Sequence, residues 1–224
     1  SIPGLMRKVR SKVQERKNMK RHGTASFPSP EEAKRQREEV FPNMVKFSIL
    51  TPLYNTTEKF LTELLDCVKN QTYQNWELCL ADGSDHEHAY VGEICRKYAA
   101  EDPRILYRVL DHNEGISGNT NECLKMATGD YIALLDHDDI LHPAVLYEYV
   151  KAINETGADY IYCDEITFEG DSIDHMIVLH FKPDFAIDNL RGNNYICHFP
   201  PFPDICWTRP ACSAASTMEA RITI

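Results

Sequence analysis

The sequence predicts an α/β domain built on a mainly parallel sheet with helices on both faces, and three observations carry that reading. First, from Lys46 onward short apolar runs alternate with amphipathic runs of helical length for more than a hundred residues. Strands that are each followed by a helix-length crossover pair in parallel. Second, polar clusters recur where the apolar runs end: Thr51-Pro52-Leu53-Tyr54-Asn55, Asp82-Gly83-Ser84 and Asp136-His137-Asp138-Asp139. In open parallel sheets ligands bind beyond the carboxyl ends of the strands. Third, there is no internal repeat and no low-complexity tract.

The elements follow in order. Phe47–Leu50 reads as a buried strand that ends at Thr51-Pro52. Glu58–Lys69 places Leu61, Leu64, Leu65 and Val68 on one helical face. Trp76–Ala81 is a second strand, and Ala89–Ala100 a helix closed by Pro103. Ile105–Leu110 is a third strand, and Ser117–Ala127 a helix ended by Gly129. Tyr131–Leu135 is a strand that runs into the acidic cluster. Pro143 opens a helix reaching about Asn154, and Tyr160–Cys163 is the next strand.

Upstream of this body the texture differs. Residues 1–46 hold twelve Lys/Arg and five Asp/Glu, whereas the remainder holds twelve and twenty-nine. Leu5, Val9 and Val13 recur at helical spacing within a basic segment, residues 1–22, whose one acidic residue is Glu15. That segment suits a solvated helical arm, or a basic helix resting on an anionic membrane face. Residues 23–30 read as a linker and 31–40 as a short charged helix stopped by Pro42, so 1–45 forms a basic helical arm and linker. The acidic body argues against nucleic-acid binding, which needs a basic surface. No apolar run is long enough to span a bilayer and none resembles a secretory leader, so the expected address is cytoplasmic. Eight cysteines stand singly with no metal-binding or redox spacing, and most are expected to be buried thiols.

Asp136, Asp138 and Asp139 place three carboxylates within four residues. Carboxylates this close repel unless a cation joins them. Were the strand to continue, Asp136 and Asp138 would share one side. Oxygen ligands suit Mg²⁺ or Mn²⁺. The same residues also suit a solvated acidic turn before Pro143. His137 and His142 flank the cluster and read as packed bystanders. Asp82 can accept a hydrogen bond from a nucleobase imide, or simply shape a turn. Tyr54 can stack on a base, or pack. Asn113 to Asn119 is glycine-bearing and opens a helix, whose N–H groups suit phosphate or ribose oxygens. The absence of Gly-x-Gly-x-x-Gly after a strand argues against a dinucleotide oxidoreductase. Thr51–Thr57 lacks the glycine and basic residues of a nucleotidyltransferase loop.

Thr51-Pro52-x-Tyr54-Asn55, Asp82-Gly83-Ser84, Asn113-x-Gly115 and Asp136-x-Asp138-Asp139 stand in the order and spacing of family 2 glycosyltransferases, and residues 46–199 resemble that family. Tyr162-Cys163-Asp164-Glu165, Phe181-Lys182-Pro183-Asp184 and Asn194-Tyr195-Ile196-Cys197-His198 are similar to the branch that builds bacterial surface polysaccharides, rhamnosyl and galactosyl transferases included. The resemblance implies a GT-A fold and a UDP- or dTDP-linked sugar donor. It also implies Mn²⁺ or Mg²⁺ and transfer with inversion to a glycan or lipid-linked acceptor; the basic segment 1–22 adds the expectation of a place at the inner face of the membrane. It assigns nucleotide contacts to Thr51, Pro52, Tyr54, Asp82, Gly115, Asn121 and Asp136, and metal ligation to Asp136 and Asp138. Ala81 departs from the pattern, since many relatives carry a second Asp there.

Inversion needs a base to deprotonate the acceptor hydroxyl. The family's Asp-bearing base motif does not occur here, and Asp164 and Glu165 are the acceptor-side carboxylates that remain. Residues 200–224 form an atypical tail without periodic pattern, expected to be poorly packed. Back-translated and read from the third base of each codon, they permit Leu-Leu-Asp, Gly-Leu-Phe-Arg and Glu-Tyr-Asp-Gly-Ser, the family's missing words. A shifted reading frame after about Phe199 is therefore the expectation, with an unrelated short tail as the alternative. A nucleotide-sugar-binding protein without turnover is the alternative function.

Overall fold

The computed structural model describes residues 27–170, 176–204, 221 and 222. Its centre is a five-stranded sheet of β1 (Phe47–Leu53), β2 (Trp76–Asp82), β3 (Ile105–Val109), β4 (Tyr131–Leu134) and β8 (Pro201–Pro203), in the order β3-β2-β1-β4-β8. The first four pair in parallel and β8 runs antiparallel to β4. The helices are α1 (Pro30–Glu38), α2 (Glu58–Lys69), α3 (Tyr90–Glu101), α4 (Gly115–Leu124), α5 (Val145–Thr156) and α6 (Ile187–Gly192). Outside the central sheet, β5 (Tyr162–Cys163) pairs with β9 (Arg221–Ile222), and β6 (Glu165–Phe168) with β7 (Met176–His180).

Strand alternation divides the core into two layers. Phe47, Ile49, Leu53, Leu78, Leu80 and Ala133 face one side, with Leu61, Leu64, Leu65 and Val68 of α2, Val91 and Cys95 of α3, and Val145 and Val150 of α5. Leu50, Cys79, Ala81 and Ile132 face the other, with Cys123 of α4. The chain order explains the split. Moving β1→β2→β3 in one direction with same-handed crossovers puts α2 and α3 on one face, and the return from β3 to β4 puts α4 on the other. The strand order thus reverses between β1 and β4, where an α/β sheet opens a crevice.

Most expected elements are present within a few residues. Thr57 caps α2 by accepting from the Phe60 N–H, as its hydroxyl allows. Three expectations change. Tyr160–Cys163 shrinks to β5 and leaves the central sheet. Pro143 lies before α5 rather than inside it; the Val145 N–H bonds the His142 carbonyl. Pro201–Pro203, expected to be loose tail, closes the edge beside β4 as β8, with Ile132↔Phe202 in register. Beyond Asp204 the tail lies outside the described residues apart from β9, as do the basic residues 1–22. Among the described cysteines Cys79, Cys95 and Cys123 are buried, Cys67 and Cys163 half-buried and Cys197 exposed. No helix among the described residues is long and apolar enough to cross a membrane.

Candidate functional site

The carboxyl ends of β1, β2 and β4 come together as the strand-end motifs require. β1 and β2 pair to their last residues, Leu53↔Asp82, while β1 and β4 pair as far as Leu50↔Leu134. Pro52 therefore lies past the last β1–β4 pair, where its missing N–H costs that ladder nothing. Between β1, β4 and the start of α4 lies a cavity of about 340 Å³, lined by Leu50, Pro52, Ser117, Thr120, Asn121 and Asp136 among others. Pro52, Asn121 and Asp136, all expected to contact a nucleotide, meet here. Tyr54 is exposed at the rim of β1, and Gly115 begins α4 with φ 75°. Thr51 is fully buried on the opposite sheet face from Leu50, and its hydroxyl has no hydrogen-bond partner among the described residues.

Two loops fix the approach to the cavity. Asn55, with φ 51°, donates its backbone N–H to Ser84 Oγ at 2.9 Å and its side-chain amide to Asp85 at 2.9 Å. This ties the β1 and β2 loops together. Buried Asn119 organises the second loop. Its Oδ1 accepts from the Glu114 N–H at 3.0 Å and its Nδ2 donates to Asn113 Oδ1 at 2.9 Å. Gly83 lets the loops touch, since a Cβ there would stand 2.9 Å from the Asn113 Cα. Asp82 is 5% exposed. One of its oxygens accepts from the Ser84 N–H at 2.9 Å and the other from the Tyr107 hydroxyl at 2.7 Å.

The acidic cluster departs from expectation. β4 ends at Leu134, and the Asp139 N–H bonds back to the Asp136 carbonyl at 3.2 Å. The chain turns instead of continuing extended, so the same-side argument for Asp136 and Asp138 fails. The turn brings Asp139 beside Asp136, and His198 joins them. The imidazole Nδ1 lies 3.1 Å from Asp139 Oδ2 and 3.8 Å from Asp136 Oδ2. One ligand atom from each of Asp136, Asp139 and His198 fits within 4.8 Å, and Asp138 lies outside that group, exposed to solvent. Burial pushes the Asp139 carboxyl above the usual range; His198 opposes that shift, and Asp136, Asp138 and Glu165 add to it. A carboxyl held up by burial and like charge, as Asp139 is, suits a cation beside it; the two carboxylates suit Mn²⁺ or Mg²⁺, and the imidazole favours the softer Mn²⁺ of the two. His142 stacks on Phe27 at 5.3 Å and lies outside the group, as does His137.

His198 is held by its neighbours. Cys197 and Phe199 both have positive φ, 45° and 49°, a region side chains adopt at a cost. Phe199 is anchored by stacking on buried Tyr149 at 6.0 Å, and its carbonyl accepts from the Tyr149 hydroxyl at 3.0 Å. Asp164 and Glu165, expected on the acceptor side, share one holder that sequence reasoning missed. The Lys182 backbone N–H donates to Asp164 Oδ1 at 2.8 Å, and its ammonium reaches Glu165 at 2.9 Å and the Ile196 carbonyl at 2.5 Å. Lys182 is the one lysine or arginine buried among the described residues. Its available signal was a lysine set between Phe181 and Pro183 with no periodic pattern around it.

Comparison with known proteins agrees with this arrangement. The model of glycosyl transferase family 2 matches residues 48–203. The y4gI protein of Sinorhizobium fredii is 42% identical over 158 residues, covering 69% of this chain and 17% of that protein. The O-antigen biosynthesis protein RfbC of Myxococcus xanthus is 31% identical over 153 residues, 68% of this chain and 12% of that protein. This chain thus spans less than a fifth of either relative. The crystal structure of S. aureus TarS residues 1–349 superposes with a TM-score of 0.51 at 26% identity, covering 57% of this chain and 37% of that one. A family match across most of the sheet, with its strand-end motifs gathered at the switch point, shows that this chain has the GT-A fold and belongs to glycosyltransferase family 2.

Proposed function

We propose that this domain takes a sugar from a nucleoside-diphosphate donor, UDP- or dTDP-linked, and transfers it with inversion to a growing surface glycan, with Mn²⁺ or Mg²⁺ as cofactor. The observation that carries the reading is the cavity at the β1/β4 reversal, which runs from the α4 N-terminus to Asp136, with Asp139 and His198 beside it. The role of RfbC in O-antigen biosynthesis supports a glycan acceptor.

In this reading Tyr54 and Asp82 hold the nucleobase, and Pro52, Gly115 and Asn121 line the path of the ribose and diphosphate. Asp136 and Asp139, with His198 and neighbouring Asp138, hold the metal. When bound, the metal supplies Lewis-acid stabilisation of charge on the departing diphosphate. The α4 N-terminus adds backbone N–H groups of the same electrostatic sign. Calorimetry with UDP, dTDP and GDP, with Mn²⁺ and then with EDTA, tests this. Metal-dependent binding of at least one is expected, and no binding of any under either condition contradicts the reading.

A second reading, donor binding without turnover, is favoured by one observation: Lys182 already occupies both acceptor-side carboxylates, Asp164 through its backbone and Glu165 through its ammonium. A carboxylate already aimed at another donor is not positioned toward an acceptor hydroxyl, and losing a positioned base typically slows a reaction by about a hundred- to ten-thousandfold. Radiolabelled sugar transfer separates the two, comparing this chain with one whose reading frame is altered after Phe199. Equal rates place the base within residues 46–199. For residues 1–22, contact with anionic membrane is tested by vesicle co-sedimentation of the full chain against a deletion of residues 1–30. Equal sedimentation at low salt leaves a solvated arm.

A further inference from the structure

Asp82 is not left to find its own orientation. It lies at the end of β2 on the α3 face of the sheet, where Tyr107 of β3 is its diagonal neighbour: Tyr107 is paired with Leu80, two residues before Asp82 and on the same side. The Tyr107 hydroxyl donates to one carboxylate oxygen at 2.7 Å, and the Ser84 N–H holds the other at 2.9 Å. The guanidinium of Arg96 lies over the Tyr107 ring at 5.7 Å. Gly92 of α3 completes the fit. A Cβ at that position would stand 2.7 Å from the Tyr107 hydroxyl and 3.2 Å from Arg96, so α3 packs this closely because residue 92 has no side chain.

A carboxylate oxygen can accept two hydrogen bonds. Among the described residues each Asp82 oxygen has one donor, so the group keeps acceptor capacity in a fixed direction and offers a ligand nothing to accept from. We propose that Tyr107, seated by Gly92, is the positioning residue that aims Asp82 at the nucleobase and so makes the donor site selective for bases presenting a ring N–H. Uracil, thymine and guanine present one; cytosine and adenine present a bare ring nitrogen, which a fixed carboxylate repels. The inference rests on the donor-binding reading above and adds the residue pair that sets its base preference. A mispaired polar group at a built hydrogen-bonding site is strongly disfavoured, which is how such sites discriminate.

The test uses the full chain with Mn²⁺ and calorimetry. The probes are UDP, dTDP, GDP, CDP and ADP, with inorganic pyrophosphate as the part of the ligand that carries no base. Wild type should bind its best imide-bearing nucleotide at least about tenfold more tightly than CDP or ADP. Tyr107→Phe removes the hydroxyl and should cost about tenfold in that nucleotide's affinity, narrow the gap to CDP, and leave pyrophosphate within about twofold. Gly92→Ala keeps the hydroxyl, displaces it, and favours the helix by propensity, so it should show the same pattern without loss of α3. Unchanged nucleotide affinity in both variants overturns the role of Tyr107. Equal losses for nucleotide and pyrophosphate overturn it as well, because they mark a general structural defect. Equal binding of CDP and UDP by wild type overturns the base preference. Wild type that binds neither nucleotide nor pyrophosphate overturns the donor-binding reading itself, and the inference with it.

Discussion

One end of the central sheet carries a single buried carboxylate and the other a cluster of carboxylates, and the two sites are built in opposite ways. At the amino end of β2, Glu77 is 4% exposed and saturated with donors. It pairs with the Lys46 ammonium and accepts from Ser48 Oγ at 2.6 Å, the Thr128 N–H at 2.5 Å and Thr128 Oγ1 at 3.0 Å. Ser48 passes the network on by accepting from the Gly129 N–H at 2.8 Å, and a Cβ at Gly129 would stand 2.6 Å from the Lys46 carbonyl. Burial alone would raise the Glu77 carboxyl, but Lys46, Ser48 and Thr128 outweigh it and hold the group below the usual range. At the carboxyl end, Asp136 and Asp139 face half-exposed His198 with Asp138 exposed nearby, while Lys182 is committed to Glu165. There burial and like charge push Asp139 up. A structural carboxylate is given its partners by the fold; the strand-end cluster is left short of positive charge, which a bound cation can supply.

Substitutions should therefore act with different signs at the two ends. The largest effect is expected at Glu77. Glu77→Ala strands three donors, from Ser48 and Thr128, and releases the partly exposed Lys46 ammonium, and should lower stability by about 2–4 kcal/mol, a fall in Tm of roughly 4–16 °C. A Tm within two degrees or so of wild type would remove the contrast. Next is Asp136→Ala, which should weaken metal-dependent nucleoside-diphosphate binding by about a hundredfold while leaving Tm nearly unchanged without metal. Calorimetry with Mn²⁺ and with EDTA checks this, and an unaltered difference between the two conditions would exclude Asp136 from the metal site. Third, Asp139→Asn relieves repulsion and should raise stability without metal by about 0.5–1 kcal/mol while still weakening metal binding. Denaturant melts with and without Mn²⁺ measure both signs.

The smallest effect is a pair of opposed pH slopes in the metal-free chain. Glu77 is depressed in the fold, so its contribution is complete above about pH 4.5 and is lost as pH falls through its lower folded value. Asp139 is raised, so the folded state binds its proton first. Stability falls as pH rises from about 3.8 through its folded value. Unfolding curves of Glu77→Gln and Asp139→Asn against wild type across pH 3–6 should each flatten one slope. If both variants flatten the same slope, the two sites are not built oppositely.

Much of this was legible from local pattern. Leu61, Leu64, Leu65 and Val68 mark the buried face of α2 at helical spacing, and all four are fully buried. The strand-end motifs at Thr51, Asp82 and Asp136 do lie at adjacent strand ends. Pattern failed where the chain stopped being periodic. Asp138 was paired with Asp136 by extending β4, but a turn at 136–139 puts Asp139 there instead. Tyr160–Cys163 looked like a central strand yet pairs with β9, and apparently featureless Pro201–Pro203 takes the sheet edge.

The sequence by itself determined the class of the fold, the buried face of a helix such as α2 and the end of the sheet at which the polar strand-end motifs gather. All three follow from periods of two and 3.6 residues that any local window contains. Tertiary structure alone decided which side chains share a site. His198 meets Asp136 and Asp139 across some sixty residues, Lys182 holds Asp164 and Glu165 from just past the end of β7, and Tyr107 reaches Asp82 from a neighbouring strand. Those contacts depend on crossover direction, strand register and the absence of a side chain at Gly92. None of these has a local period, because each is set by how two distant segments pack rather than by either segment alone.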